Sequence, residues 1–266
     1  MNESANASEE IKTQSGLIGF FDVLGFTNIV KNNEIKEAAL VVKKILEKAR
    51  RSQDANNIIE KLLPGHKFCE HVLFSDSIVV YSSFDSFRDE GTSTAMFSSF
   101  CAGLITELFW AGLPIRGALA AGDYYVENHV GSVCLAGKPI VEAYEISELL
   151  DFAGCVVAPS AEKLFRRALE FFEYSVPLKG CQKQKMLVLN NYVTHWHERE
   201  LSRPIIMENF GAFNKRVGIE VLPKINNTLN FLEECKRPIY LLMLSRSNQL
   251  TRCRKTGRAW QVWHSS

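Results

Sequence analysis

Residues 17–27 read Leu17-Ile18-Gly19-Phe20-Phe21-Asp22-Val23-Leu24-Gly25-Phe26-Thr27. The apolar run over 17–21 is short enough for a buried strand and stops at Asp22, where a charge is costly unless it is paired or bound to a metal. Gly25-Phe26-Thr27 forms a turn ahead of a helix predicted over 34–51. Backbone amides at such a turn can hold a phosphate group. This stretch therefore predicts a buried strand, an acidic strand end and a phosphate-binding turn.

A second acidic residue stands at a similar place further along the chain. Asp76 lies in Ser75-Asp76-Ser77, a tight connection between strands predicted over 67–74 and 78–82. If these strands neighbour the first one, Asp22 and Asp76 approach each other at one end of the sheet. A single strand-end aspartate is more often a turn residue or helix cap, so the hypothesis depends on the pair. Two such carboxylates could hold two metal ions that orient a triphosphate.

The remaining segments indicate the fold class. They are a helix over 95–111, a strand over 114–125, a connection over 131–137, a helix over 139–150, a strand over 151–158, a helix over 161–171 and a late strand over 186–193. This order predicts an α+β fold with a ferredoxin-like β-α-β-β-α-β core, a mixed-sheet α/β sandwich. We expect a disordered N-terminus over 1–15, a core domain over 16–200 and a helical, basic C-terminal extension over 201–266.

Composition and charge exclude several classes of protein. The chain has 266 residues, of which 46% are hydrophobic, with 31 Lys and Arg against 30 Asp and Glu. This balance argues against nucleic-acid binding through a large positive excess and permits self-association. The polar N-terminus lacks the features of a signal peptide, and no apolar stretch is long enough for a membrane helix. The seven cysteines form no CxxC pair. We therefore expect a cytoplasmic protein with free thiols and no membrane contact.

Four motifs together carry a resemblance to a known family. Phe20–Thr27 has a hydrophobic pair, Asp, two aliphatic residues and Gly-Phe-Thr, and Leu73–Ser77 contains a second Asp where the family pattern usually reads Gly-Asp. Ile115–Gly122 contains Arg-x-Gly, and Gly137–Ala143 falls where the pattern reads Gly-Asp-x-Val-Asn-x-Ala. Over about 17–160 the chain resembles the class III nucleotidyl cyclases, the catalytic domains of adenylate and guanylate cyclases. The first motif is the most specific of the four.

The resemblance implies a set of site residues and cofactors. Asp22 and Asp76 would bind two Mg²⁺ or Mn²⁺ ions, with the Val23 carbonyl completing one coordination shell. The β- and γ-phosphates of the nucleoside triphosphate would be held by backbone amides of Leu24, Gly25, Phe26 and Thr27.

Two cations are further candidates for this site. Arg116 and Lys138 would neutralise charge on the triphosphate, although a surface or structural cation is an equally good interpretation of each. The resemblance also implies a homodimer with composite active sites at the interface.

The departures from the family pattern are informative about substrate. The family's transition-state Asn and Arg fall on Val141 and Glu145, its purine-recognising Lys falls on Val72, and its purine-selecting residue falls on about Leu135. This combination is similar to the pyrimidine cyclases of bacterial antiphage defence, which make cyclic UMP or cyclic CMP for a downstream effector. We expect UTP rather than CTP as substrate. Two alternatives stay open: an adenylate or guanylate cyclase that reads purines through other residues, and a catalytically degenerate homologue that binds nucleotide as a sensor or scaffold.

Overall fold

The computed structural model describes residues 12–62, 69–86, 90–129, 132–168, 170–190 and 202–236. The strands are β1 (Thr13–Val23), β2 (Glu70–Phe74), β3 (Ser77–Ser83), β4 (Ile115–His129), β5 (Ser132–Gly137), β6 (Gly154–Val157), β7 (Phe171–Leu178) and β8 (Gln182–Leu189). The helices are α1 (Phe26–Asn32), α2 (Ile35–Leu62), α3 (Glu90–Trp110), α4 (Lys138–Leu149), α5 (Glu162–Phe165), α6 (Arg203–Gly211) and α7 (222–236).

The strands form one mixed sheet in the order β2-β3-β1-β4-β6-β8-β7, and β5 pairs with β4 outside this path. The strand pairs within it are antiparallel, except that β4 and β6 run parallel. The segment β2-β3-β1-β4 with α2 and α3 is the ferredoxin-like arrangement expected from the sequence. The predicted α+β fold class is therefore confirmed.

The two faces of β1 pack against different layers. Leu17, Phe21 and Val23 point into a core cluster formed with α2 and α3, whereas Phe20 on the other face packs towards α4. Alternation along a strand places Asp22 on the same face as Phe20. Burial of an apolar face on each side explains why this strand reads as a continuous hydrophobic run up to Asp22.

One glycine of the Arg-x-Gly strand permits this packing. Gly117 lies opposite Phe21 in the β1–β4 pair. A Cβ at this position would lie 2.3 Å from Cδ1 of the Phe21 ring and 2.6 Å from the Phe20 carbonyl oxygen. Any larger residue would displace β1 or β4, so the glycine after Arg116 keeps the two strands in register.

The C-terminal segment packs onto the sheet. Apolar side chains of α6 and α7 join a buried cluster with strands β4, β6, β7 and β8; these are Ile206, Phe210, Ile225, Phe231, Leu232 and Cys235. The Thr228 hydroxyl of α7 accepts a hydrogen bond from the amide of Ala153 at 2.9 Å. Residues 202–236 therefore share a hydrophobic core with the segment before them.

Several predicted boundaries differ from the structure. Residues 13–15, expected in the disordered N-terminus, belong to β1 because they pair with Asp123–Tyr125 of β4. The predicted connection over 131–137 contains the edge strand β5. The helix predicted over 161–171 is the short α5, because 171–178 instead pairs with β8 as β7.

Two predicted segments lie largely outside the described residues. These are the first eleven residues and the basic end of the C-terminal extension beyond 236. Among the helices in the described ranges, none combines the length and the apolar character needed to cross a membrane.

The hairpin tip between β2 and β3 generates a prediction about stability. Ser75 adopts a φ of 57°, in the left-handed region that favours glycine. Replacing Ser75 by glycine should raise the free energy of unfolding by up to about 1 kcal/mol, measured by urea denaturation. Ser77→Gly is the matched control: Ser77 pairs with Phe74 inside the ladder, so this change should lower stability. Equal losses in both variants would contradict the argument.

Candidate functional site

The structure brings the two predicted aspartates together at one end of the sheet. Asp22 lies near the end of β1, opposite Ser77 of β3 and Arg116 of β4. The amide of Val23 donates a hydrogen bond to the backbone oxygen of Asp76 at 3.2 Å. Sheet register and this single backbone contact place the β2–β3 hairpin tip beside the end of β1. The proximity of Asp22 and Asp76 expected from the sequence is therefore present in one chain.

Arg116 is a buried partner of Asp22. Its side chain is 7% exposed, and its Nη2 and Nε donate to Asp22 Oδ2 at 3.0 and 3.2 Å. The same guanidinium contacts the Glu148 carboxylate on α4 and donates to the Glu148 carbonyl oxygen at 3.2 Å. Arg116 therefore links β1, β4 and α4, and its charge is balanced by two carboxylates of the same chain.

The electrostatics of Asp22 favour an additional cation. Burial raises the pKa of the Asp22 carboxyl above its ordinary value, and the nearby Asp76 and Glu148 carboxylates raise it further, whereas Arg116 opposes the rise. Three carboxylates thus act near one guanidinium. A cation bound between Asp22 and Asp76 would offset both the desolvation and the mutual repulsion of these two groups.

Sequence reasoning missed two charged residues of this site. Glu148 lies in the last turn of α4, and Lys179 lies just after β7, with its Nζ 3.5 Å from Glu148 Oε2. An ionic chain consequently runs from Asp22 through Arg116 and Glu148 to Lys179. No motif marked Glu148, because its role depends on where the end of α4 docks. The Lys179-Gly180 pair indicates a turn, but the sequence alone does not show that this turn lies beside the end of α4.

The turn after β1 has the expected shape but a smaller set of free donors. Gly25 has a φ of 80° and precedes α1. The Leu24 amide, predicted to bind phosphate, instead donates to the Pro114 carbonyl oxygen at 2.9 Å. The Gly25, Phe26 and Thr27 amides stand at the start of the helix, where no intrahelical acceptor exists for them.

Lys138 lies far from Asp22 within one chain. It is the exposed first residue of α4, next to Gly137, which pairs with Tyr124 of β4. Tyr124 and Arg116 are eight residues apart on β4, which corresponds to about 26 Å along the strand. Lys138 instead lines a cavity of about 640 Å³ near Asp123, Glu142 and Ser160. A role for Lys138 beside Asp22 therefore requires a second chain.

The positions that depart from the family pattern fall in two places. Val72 on β2 and Leu135 on β5 both pack against one apolar cluster, which contains Ile18, Tyr81 and Tyr124. The structure therefore joins the two positions that the resemblance associates with base recognition. Val141, by contrast, is 55% exposed on α4.

The oxygen donors at the end of β1 suit a divalent cation that binds together with a nucleotide. Within the described part of the chain, no group of three or more His, Cys, Asp and Glu side chains could hold a metal ion. Asp22, Asp76 and the Val23 carbonyl supply oxygen donors only, and Mg²⁺ characteristically binds through one or two carboxylates, waters and substrate phosphates. These residues therefore fit a metal that arrives with a nucleotide better than a permanently caged ion.

Comparisons with known proteins identify the fold. No protein-family model matches the sequence, and no curated protein matches it. Among solved structures, the adenylyl cyclase CyaB from P. aeruginosa is similar with a TM-score of 0.51 and 12% identity, over 68% of this chain and 95% of that one. The guanylate cyclase domain of RhGC from Catenaria anguillulae, in complex with GTP, gives a TM-score of 0.49 and 13% identity, over 67% and 97% of the two chains.

The chain has the fold of class III nucleotidyl cyclase domains. At 12% identity this likeness concerns the fold alone.

The buried ion pair generates a prediction about stability. Arg116→Met should lower the free energy of unfolding by about 3 kcal/mol, because Asp22 is left buried without its partner. The loss should be smaller at pH 5 than at pH 8, since without the guanidinium the Asp22 pKa rises further and protonation removes the unpaired charge. Chemical denaturation at the two pH values measures both effects.

Arg166→Met provides the matched control for this change. Arg166 pairs with Glu162 on the surface, where both side chains are largely exposed, so stability should be nearly unchanged. A loss in Arg116→Met no larger than in this control would contradict the structural role of the buried pair.

Proposed function

We propose that this protein is a pyrimidine nucleotidyl cyclase that converts UTP, or CTP, to the 3′,5′-cyclic monophosphate and pyrophosphate. The observation that carries this proposal is the Asp22–Asp76 pair, set beside the Gly25 turn at the end of β1 in a cyclase fold. A chain that bound nucleotide only as a scaffold would have no need for two carboxylates at this sheet end. In the wider proposal, the product is a second messenger of bacterial antiphage defence, read by a separate effector.

The residues have distinct roles in the proposed reaction. Asp22, Asp76 and the Val23 carbonyl would hold two Mg²⁺ or Mn²⁺ ions, which supply charge neutralisation and lower the pKa of the ribose 3′-hydroxyl. The amides of Gly25, Phe26 and Thr27 donate to oxygens of the β- and γ-phosphates. The 3′-oxygen attacks the α-phosphorus, the bond from that phosphorus to the bridging oxygen breaks, pyrophosphate leaves and the hydroxyl proton passes to solvent.

Arg116 has to change partners if it serves the triphosphate. In the chain alone its guanidinium is held by Asp22 and Glu148. With a cation held at Asp22, the Arg116 guanidinium would be able to turn towards phosphate oxygens, which it can bind bidentately. The same group would thus stabilise Asp22 before substrate binds and the triphosphate afterwards.

Base recognition is the basis for preferring a pyrimidine. The purine-recognising Lys of the family pattern corresponds to Val72, and the purine-selecting residue corresponds to about Leu135. Both side chains contribute to an apolar cluster beside Tyr81 and Tyr124, and neither carries a donor or acceptor for a purine edge. This supports a base other than adenine or guanine.

A homodimer with composite sites belongs to the same proposal. Lys138 lies too far from Asp22 to serve its own chain, and α4 exposes Val141, Tyr144 and Leu149. Tyr144 and Leu149 lie on either side of Val141, three and eight residues further along α4, and the three side chains suit contact with a second copy. We propose a cytoplasmic homodimer that acts on a nucleoside triphosphate and uses neither nucleic acid nor a membrane.

The substrate proposal is tested by product analysis. The purified protein is incubated with ATP, GTP, CTP or UTP and Mn²⁺ or Mg²⁺, and cyclic nucleotides and pyrophosphate are separated and quantified. We expect cyclic UMP as the main product, with pyrophosphate in equal amount. Cyclic AMP or cyclic GMP alone would instead favour the purine alternative. Absence of pyrophosphate from every triphosphate would favour the degenerate homologue.

The metal-site proposal is tested by substitutions at the sheet end. Asp76→Asn should lower turnover by at least roughly a hundredfold and weaken Mn²⁺ binding followed by electron paramagnetic resonance. Asp22→Asn should do the same and, because it also breaks the Arg116 pair, reduce stability. Asp85→Asn, at an exposed position just after β3, is the control and should change neither quantity. Full activity in Asp76→Asn would refute the two-carboxylate mechanism.

A further inference from the structure

A lysine of the C-terminal segment is buried behind the Gly25 turn. Lys215 is 5% exposed, although it lies in the connection between α6 and α7. Its ammonium donates to the carbonyl oxygens of Gly112 at 2.9 Å and Asn209 at 3.1 Å. Both acceptors are neutral, and no carboxylate pairs with this ammonium among the described residues. Burial lowers the pKa of Lys215 to about 7.

The stem of this side chain passes directly under the turn. A Cβ placed on Gly25 would lie 3.0 Å from Lys215 Cδ and 3.7 Å from its Cγ. The ammonium is only two bonds beyond that Cδ. Gly25 itself is exposed on its other side. The turn therefore separates solvent, where a phosphate would bind, from the buried amino group of Lys215.

The segment that carries Lys215 is also attached to the far end of α1. Asn32 Nδ2 donates to the Asn214 carbonyl oxygen at 3.0 Å, and Asn33 Nδ2 donates to the Phe213 carbonyl oxygen at 2.8 Å. Asn214 Nδ2 donates in return to Asn33 Oδ1 at 2.8 Å. Residues 213–215 therefore contact α1 at its beginning and at its end. The position of Lys215 relative to the turn is fixed by these contacts.

We infer that Lys215 is a positioning residue of the nucleotide site: its stem supports the Gly25 turn, and its amino group, charged once an anion binds, places a positive charge behind the bound triphosphate. This inference rests on the proposed function, because it places the phosphates on the exposed side of the turn. A buried ammonium without a carboxylate partner destabilises the fold. An anion bound across the turn offsets that cost, since Coulomb attraction is strong where water is excluded.

A bound anion should change the protonation of Lys215, an effect that a purely structural lysine would not show. An anion near the ammonium favours its charged form, so binding at slightly alkaline pH should be accompanied by proton uptake at Lys215. Other charged groups occur on the elements and segment packed around it and remain unchanged in a Lys215 variant; they are Lys31, Lys44, Glu107, Glu208 and Arg216. The difference between wild type and variant therefore isolates Lys215.

The test measures binding of inorganic tripolyphosphate with Mn²⁺, a probe that has no base to read. Calorimetry at pH 7.5 in two buffers of different ionisation heat gives the affinity and the number of protons taken up. Lys215→Met should bind roughly tenfold more weakly than wild type and lose the proton uptake. Lys44→Met is the control, because Lys44 of α2 lies 4.8 Å from the centroid of the Phe213 ring, in the same segment as Lys215. This variant should retain both the affinity and the proton uptake of wild type. Should Lys215→Met fail to fold, Lys215→Gln takes its place, because its amide can still donate to the carbonyls.

The outcomes separate this inference from the proposed function. Weaker binding together with lost proton uptake supports the role of Lys215. Binding and proton uptake equal to those of wild type overturn that role while leaving the triphosphate site intact. Weaker binding with unchanged proton uptake also overturns it, because the lysine then acts only as a structural support. If wild-type protein does not bind tripolyphosphate with Mn²⁺, both the inference and the proposed phosphate site fail.

Discussion

The pairing of Arg116 with Asp22 across β1 and β4 is the interaction on which this end of the molecule depends. A carboxylate at the end of a buried strand is unfavourable unless a charged partner meets it. Register places Arg116 directly opposite, and the same guanidinium reaches the end of α4 through Glu148. The pair thus fixes the distance between the sheet and α4. The β2–β3 hairpin brings Asp76 beside the end of β1. The strand topology therefore collects Asp22, Asp76 and the Arg116 guanidinium at one end of the sheet.

The sequence predicted those strands and turns whose signals lie within a short stretch of the chain. The apolar run before Asp22 predicted β1, and the Ser75-Asp76 turn predicted the β2–β3 hairpin, because both signals are contained in a few consecutive residues. The ferredoxin-like order then placed the two aspartates together. Their proximity could therefore be derived before any coordinates were known.

Other features could not be read from the sequence because they depend on distant contacts. β7 follows a helix-like stretch, and only its pairing with β8 makes 171–178 a strand. Glu148 is an ordinary surface-type residue until α4 docks and brings it to Arg116. The sequence predicted that the Leu24 amide would bind phosphate, but this amide donates its hydrogen bond to the carbonyl oxygen of Pro114, just before β4. In each case a partner far along the chain decides the outcome.

Under the proposed function, the sheet places the catalytic residues apart from those that would select the base. In the proposed reaction, the acidic end, the Gly25 turn and Arg116 would contact only phosphate and ribose, which every nucleoside triphosphate shares. The apolar cluster with Val72 and Leu135 includes Tyr81, which pairs with Ile18 at the fourth register position of β1 before Asp22. If this cluster selects the base, as proposed, substitutions in it would change which base fits without disturbing the Asp22–Arg116 ion pair. In the proposed function, the fold keeps its two carboxylates while Val72 and Leu135 stand where the resemblance would place the groups that read purines.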